Sequence, residues 1–282
     1  MAEFEIVNAG AHDMRLFRTW SDEEGWNPGE SDVRAFAVAD PRGFFVGRLD
    51  GESVGCVSAI RYGASFGFLG FYLVRPEHRG KGYGIRLWRR AMEHLEGRLV
   101  GLDGVVEQQD NYRRSGFRRA WNNVRFEGVP TAGPAVVDGV DVVDAGSLPF
   151  EEVAAYDRRF FPEDRDAFLA AWTGLPGRPA LAALRDGRVV GLGVIRLCSG
   201  ASRIGPLYAE DPATAALLVR ALAARAPGTP VAFDAPDANP AAPELAGALG
   251  LKPVFEAARM YTGPAPQVEL AGIFGVTSLE LG

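Results

Sequence analysis

Glycine stands at every second position of one short run, Arg79-Gly80-Lys81-Gly82-Tyr83-Gly84, with two cations interleaved among the glycines. An apolar stretch from Phe68 to Val74 precedes it, and Ile85, Trp88, Met92 and Leu95 recur behind it at helical spacing. The order is strand, glycine turn, helix. Such a turn leaves backbone N–H groups bare at a helix N-terminus, where aligned peptide dipoles favour an anion. Glycine is needed because a Cβ would block close approach and forbid the backbone angles. The chemistry on offer is the cradling of a phosphate, with Arg79 and Lys81 adding charge. A turn that needed only flexibility would have no use for those cations.

The pattern is neither the dinucleotide fingerprint nor the loop of nucleotide hydrolases. With Val74, Pro76 and Glu77 ahead of it, it has the [Q/R]xxGx[G/A] form and resembles the acetyl-CoA-binding motif of the GNAT acetyltransferase superfamily. The resemblance implies that the amides of Gly80, Lys81, Gly82, Tyr83, Gly84 and Ile85 hold the pyrophosphate of acetyl-CoA. It also implies that the pantetheine arm lies along Leu73 and Val74 like an added strand. Those two residues read equally as core, and both can hold, since backbone makes one contact and side chains the other. Tyr112 opens a YxxxGF pattern with Gly116 and Phe117, where the same family places a tyrosine that protonates the departing thiolate. A neutral phenol suits that task; the competing reading is a tyrosine packed on its helix. One departure stands out. The asparagine usual in the family before this tyrosine has no counterpart, because Val105 or Val106 occupies its place and Asn111 is out of phase.

Amine acetylation also needs a proton acceptor, and the strand before the cradle, Phe68 to Val74, carries no carboxylate. By topology the nearest candidates are Asp103 and Glu107, at the end of the next strand, though each also reads as structural or solvent-exposed. For the acceptor the expected place is Glu24-Gly25-Trp26-Asn27-Pro28-Gly29, where Asn27 belongs to a turn holding a large aromatic. Trp26 is either a substrate wall with a cation–π face for an amine or a plug at the sheet edge. Glu24 and Asp32 offer carboxylates to an ammonium. Cys56 has no histidine near it in sequence, so direct attack is expected rather than a covalent enzyme intermediate.

The positioning elements are written twice. Asp50-Gly51 and Asp186-Gly187 each open an apolar strand, and Gly116-Phe117 is answered by Gly250-Leu251 at nearly the same offset. Between Glu127 and Gly139 the chain runs through several glycines and prolines. We therefore expect a GNAT N-acetyltransferase domain over 1–128, a linker at 129–134, and a degenerate GNAT-like domain over 135–282. The fold class is mixed α/β, each domain a twisted mixed sheet flanked by helices. Helices are expected from Met14 to near Gly25, after Ser31, from the glycine turn to about residue 95, and near 110–115. Strands are expected at about 43–49, 53–62, 66–74, 98–103 and 117–127. Half two repeats this with strands near 180–185, 188–198, 202–208, 230–234 and 253–262, and helices near 212–225 and 240–249. Its phosphate turn is degenerate: Ala209-Glu210-Asp211-Pro212 has two carboxylates and no glycine, so it would repel a pyrophosphate. Tyr156, Phe160, Phe161 and Trp172 form core, or else shape the acceptor pocket or a homodimer contact. A final strand near Ile273–Thr277 is read as packing against a neighbour.

Bulk properties exclude rather than assign. The 282 residues suit two domains, and 47% hydrophobic with 23% charged residues is ordinary for a globular chain. A net charge of −6 argues against nucleic acid as partner and mildly favours a cationic acceptor, either a small molecule or a peptide amine. Two scattered cysteines and three scattered histidines give no metal-ligand spacing, so no metal is expected. The acidic N-terminus and the absence of any long apolar run imply a cytoplasmic protein without membrane contact. Two function classes remain. One is an acetyltransferase acting on a primary amine; the other is a non-catalytic acyl-CoA sensor or scaffold.

Overall fold

The computed structural model describes residues 3–133 and 136–282; Met1 and Ala2, and Pro134 and Ala135 at the expected junction, lie outside them. In chain order the first half comprises β1 (Phe4–Asn8), α1 (Met14–Glu23), α2 (Asp32–Ala39), β2 (Phe44–Leu49), β3 (Glu52–Tyr62), β4 (Phe66–Val74), α3 (Tyr83–His94), β5 (Leu99–Val105), α4 (Gln109–Arg114) and β6 (Arg118–Gly128). The second comprises β7 (Val140–Asp144), α5 (Phe150–Asp157), α6 (Asp166–Gly174), β8 (Ala180–Arg185), β9 (Arg188–Arg196), β10 (Ser202–Ala209), α7 (Pro212–Ala223), β11 (Val231–Pro236), α8 (Ala241–Ala248), β12 (Lys252–Tyr261) and β13 (Ile273–Gly275). The repeat is visible residue by residue. Asp50 and Gly51 both take positive φ, as do Asp186 and Gly187, which is the backbone of a tight hairpin turn in each half. Gly116 and Gly250 follow α4 and α8 with φ of 90° and 79°.

Twelve of the strands form one continuous mixed sheet in the order β1-β2-β3-β4-β5-β12-β6-β11-β10-β9-β8-β7, with β13 on β10. Neighbours are antiparallel except β4 with β5 and β10 with β11. The last strands of the two halves are exchanged. β12, which follows α8, pairs with β5, whereas β6, which follows α4, pairs with β11. β6 and β12 then pair with each other along their length and weld the two sheets into one. The edge strands β1 and β7 are additions to the expected list; short and alternating, they carry too few apolar residues to announce themselves. β13 lies where a final strand was expected, and the neighbour it packs against is β10 of the same chain.

The core has three parts. On one face, α1, α2, α5 and α6 meet over both halves, with Phe36 stacked on Trp172 at 5.6 Å and Phe161 edge-on to Tyr62 at 4.8 Å. All four aromatics of half two are buried in this core: Phe161 and Trp172 meet half one, while Tyr156 and Phe160 pack on each other and Phe160 on Tyr208. On the other face α3 covers half one through Leu87, Trp88 and Leu95, and α7 covers half two through Leu218 and Leu222. Buried ion pairs stitch the halves together. Asp32 at the start of α2 binds Arg178 and Arg196, and Asp234 binds Arg125 and Arg203. Burial alone would raise the Asp234 carboxyl, but its two guanidinium partners hold it down at about 2. Among the described residues no helix is long and apolar enough to cross a membrane.

Candidate active site

The site begins with a fault in β4. Cys56 and Ser58 on β3 face Leu73 and Gly70, so β4 carries one extra residue, and Phe71 sits there at φ 45°. The side-chain alternation slips accordingly: Phe66 and Phe68 face the shared core, and so do Phe71 and Leu73. A bulge bends a strand and ends its pairing. β4 pairs with β5 only from Phe66 to Leu69, and beyond that point the two parallel strands part. The opening is a cleft of about 450 Å³.

At one end of the cleft lies the glycine turn. Gly80 and Gly82 have φ of 75° and 84°, and nothing lies within 4 Å of where a Cβ would sit on either. Gly82 is the N-cap of α3 and makes no side-chain cap, so the first amides of a three-turn helix remain free for a ligand. Arg79 is fixed by donating from Nε to the Val74 carbonyl at 2.8 Å and by an ion pair with Glu24. Lys81 donates to the Glu77 carbonyl at 2.8 Å. Tyr112 lines the cleft, its ring stacked on Trp88 at 5.6 Å and its hydroxyl without a hydrogen-bond partner among the described residues. Burial pushes that phenol up to about 12, so it is a neutral O–H across the physiological range. Tyr72 lines the cleft nearby, close enough to raise Tyr112 further. Space for Tyr112 exists because residue 104 is glycine; a Cβ there would collide with the phenol ring.

The other end is built largely by half two and the exchanged strands: Arg125 from β6, Phe255 and Ala257 from β12, and Leu279 and Glu280 from the segment after β13. Trp26 forms a wall here, and its carbonyl accepts from Arg125 Nη1 and Arg203 Nη1, both at 3.2 Å. Apart from Trp26, none of these was singled out in the sequence: Phe255, Ala257, Leu279 and Glu280 lie more than a hundred positions from the glycine turn, and nothing local marks Arg125. His78 also lines the cleft, beside Arg79.

Of the residues singled out above, the structure brings Glu24, Trp26, Leu73, Val74, Arg79, Gly80, Gly84, Asp103 and Tyr112 to the cleft. Lys81, Gly82, Tyr83 and Ile85 belong to the same turn and helix start but do not line the cleft. Three further residues are placed elsewhere. Asp32 is buried between the halves with both oxygens in ion pairs. Asn27 clips its loop to half two, donating to the Ala201 carbonyl at 3.0 Å and accepting from the Gly200 amide at 3.0 Å. Glu107 is exposed and does not line the cleft. Asp103 is present but committed. Arg259 donates to its two oxygens at 2.8 and 2.7 Å, and Asn123 donates at 2.8 Å. Burial pushes its carboxyl up against that pairing. Cys56 is fully buried with its thiol pushed up by burial, which leaves no thiolate for covalent chemistry.

Half two repeats the geometry and then fills it. β10 carries the matching extra residue, at Gly205-Pro206 between the pairs Ile204 with Ile195 and Leu207 with Gly193. It pairs with β11 only at Ser202 and Arg203. Into the opening goes β13, with Leu207 opposite Gly275, and the Val276 amide donates to the Asp234 carbonyl of β11 at 3.0 Å. At the N-terminus of α7 the Asp211 carboxylate accepts from the Thr214 amide at 2.8 Å. The chain itself thus supplies both the added strand and the anion in half two.

Comparison with known proteins agrees with this duplication. Residues 11–117 match the acetyltransferase (GNAT) family and residues 153–275 match an acetyltransferase (GNAT) domain. The chain is 34% identical over 275 residues to the holothin acyltransferase of Pseudoalteromonas sp. (strain SANK 73390), covering 97% of this chain and 93% of that one. In fold it resembles a putative acetyltransferase from Pyrococcus horikoshii, with a TM-score of 0.81 at 22% identity over 99% and 96% of the two chains. It also resembles a tandem GNAT protein from the clavulanic acid biosynthesis pathway, with a TM-score of 0.63 at 18% identity over 93% and 100%. With a motif-bearing half, a filled half and a relative of this closeness along nearly its whole length, the chain belongs to the GNAT acetyltransferase family as a tandem member and is an acyltransferase.

Proposed function

We propose that the chain transfers an acetyl group from acetyl-CoA to the primary amine of a small molecule by direct attack, in the cleft of half one. The observation that carries the reading is the continuity of one opening. Free amides at the N-terminus of α3 lie beside a single cleft that runs along the diverging β4 and is lined by the buried Tyr112 phenol and by Trp26. The free N-terminus, the glycines at 80 and 82 and the open β4 edge fit an acyl-CoA, which when bound supplies an activated thioester. In this reading the amides of residues 80–85 and the side chains of Arg79 and Lys81 hold the diphosphate. The backbone of Leu73 and Val74 aligns the pantetheine arm. Tyr112 gives its proton to the leaving sulfur. Domain one is then residues 1–128, and residues 135–282 are silent toward the donor. The relative named a holothin acyltransferase supports a small-molecule acceptor, and the acidic charge of the chain supports an amine.

The test is direct. The purified chain is incubated with acetyl-CoA and a panel of primary amines, with free thiol and acetylated product both measured. Stoichiometric thiol and amide from at least one amine is the expected result. Tight binding of acetyl-CoA with no thiol release from any amine would sink it.

A further inference from the structure

Glu280 lines the acceptor end of the cleft at 5% exposure, and its Oε2 is buried without a hydrogen-bond partner. Its other oxygen lies 3.7 Å from Arg203 Nη1, beyond hydrogen-bond reach. A buried carboxylate oxygen with no donor is costly, and such atoms in folded proteins call for an explanation. The other carboxylates on the cleft differ. Asp103 is saturated by Arg259 and Asn123, and Glu24 is half-exposed and paired with Arg79. The segment that carries Glu280 is fixed through its backbone, not through this side chain. The Tyr62 hydroxyl donates to the Leu281 carbonyl at 3.0 Å, and Ser278 Oγ accepts from the Leu281 amide at 3.1 Å. Gly70 of β4 has no Cβ, and one placed there would collide with the Glu280 carbonyl. The tail is thus pressed against β4 just before the bulge, where the cleft opens. His78, whose Nδ1 is also unpartnered, stands at the far end, since Gly70 to Val74 alone spans about 13 Å of strand.

We propose that Glu280 Oε2 is the hydrogen-bond and proton acceptor for the nucleophilic nitrogen of the acceptor, delivered to the cleft of half one by the C-terminal segment of half two. The proposal rests on the amine-acetylation reading above and supplies the carboxylate that β4 lacks. The step balances. The amine nitrogen forms a C–N bond to the acyl carbon as the C–S bond breaks, and the electron pair of that bond goes to sulfur. The nitrogen becomes a strong acid as it acquires the new bond and gives a proton to Glu280, while the sulfur takes the Tyr112 proton. Glu280 then returns its proton through solvent to the phenolate.

Glu280→Gln is close to isosteric and keeps an acceptor toward Arg203, and Glu280→Asp keeps the charge one methylene back. Two measurements are made on the full chain, with melting temperature as a control on folding. First, butylamine is titrated into CoA-saturated protein, followed by tryptophan fluorescence. The wild type binds, Glu280→Gln weakens binding about tenfold, and Glu280→Asp recovers most of it. Second, turnover with the best amine of the panel falls about 10²-fold or more in Glu280→Gln, with acetyl-CoA affinity unchanged. Equal butylamine binding in wild type and Glu280→Gln, or none in wild type, overturns the assignment. So does equal turnover, which is what a water held at Oε2 for structural reasons alone predicts. A wild type that binds butylamine through Glu280 yet never releases thiol overturns the transfer reading and leaves the amine subsite standing.

Discussion

In the proposed function two residues have different tasks, and each separates binding from turnover. Tyr112 keeps its position through its ring, which stacks on Trp88, while its hydroxyl has no hydrogen-bond partner among the described residues. Tyr112→Phe therefore removes a proton donor without opening a cavity. We expect kcat to fall about 10²-fold while acetyl-CoA affinity and melting temperature stay within error; an unchanged kcat returns Tyr112 to packing. Gly82 is the converse case. Its φ of 84° is strained for any residue with a Cβ, and a Cβ there would enter open space that the proposed reading gives to the diphosphate. Gly82→Val should reduce acetyl-CoA affinity at least 100-fold by calorimetry while the protein still melts cooperatively. Retained affinity removes the amides of this turn from the binding site.

At the scale of elements, the two helices that connect the parallel strand pairs differ in what meets their first amides. The N-terminus of α3 is capped by glycine and open, whereas that of α7 is closed by the carboxylate of Asp211 and started by a proline that lacks an N–H. The strands beside them differ in the same sense: β13 fills the opening between β10 and β11, whereas the matching opening between β4 and β5 is left free. Calorimetry should give one CoA per chain, and Asp211→Ala should leave that number at one while costing about 1 kcal/mol of stability as a lost cap. A second equivalent in either protein contradicts the silence of half two. The degenerate turn was legible as a sequence, because two carboxylates and a proline are wrong for an anion. The plugging strand was not: Ile273-Phe274-Gly275 says strand but not beside what.

For the molecule as a whole, exchange of β6 and β12 makes each half incomplete alone. β5 has no outer neighbour without β12, and the cleft loses Phe255, Ala257, Leu279 and Glu280 without half two. Ion pairs at Asp32 and Asp234 add to the joint, and removing one side of a buried pair leaves an uncompensated charge. A fragment ending at residue 128 should therefore be insoluble or melt without cooperativity, since it exposes a long apolar strand edge. Co-expression with residues 129–282 should restore a soluble complex. A fragment that folds and acetylates amines by itself refutes the shared site.

Read alone, the chain determined what depends on neighbours in sequence. The glycine turn, the strand before it and the amphipathic helix after it are local, fixed by backbone angle and periodicity over some twenty residues. The duplication and nearly every strand boundary follow from the same short-range signals. Only the tertiary structure decided which strand ends lie side by side, that Asp32 and Asn27 hold the halves together instead of facing a substrate, and that Glu280 reaches the cleft. The physical reason is that hydrogen-bonded strand edges and buried charges find partners by complementarity in space, and a sequence lists its residues without saying which distant ones will meet.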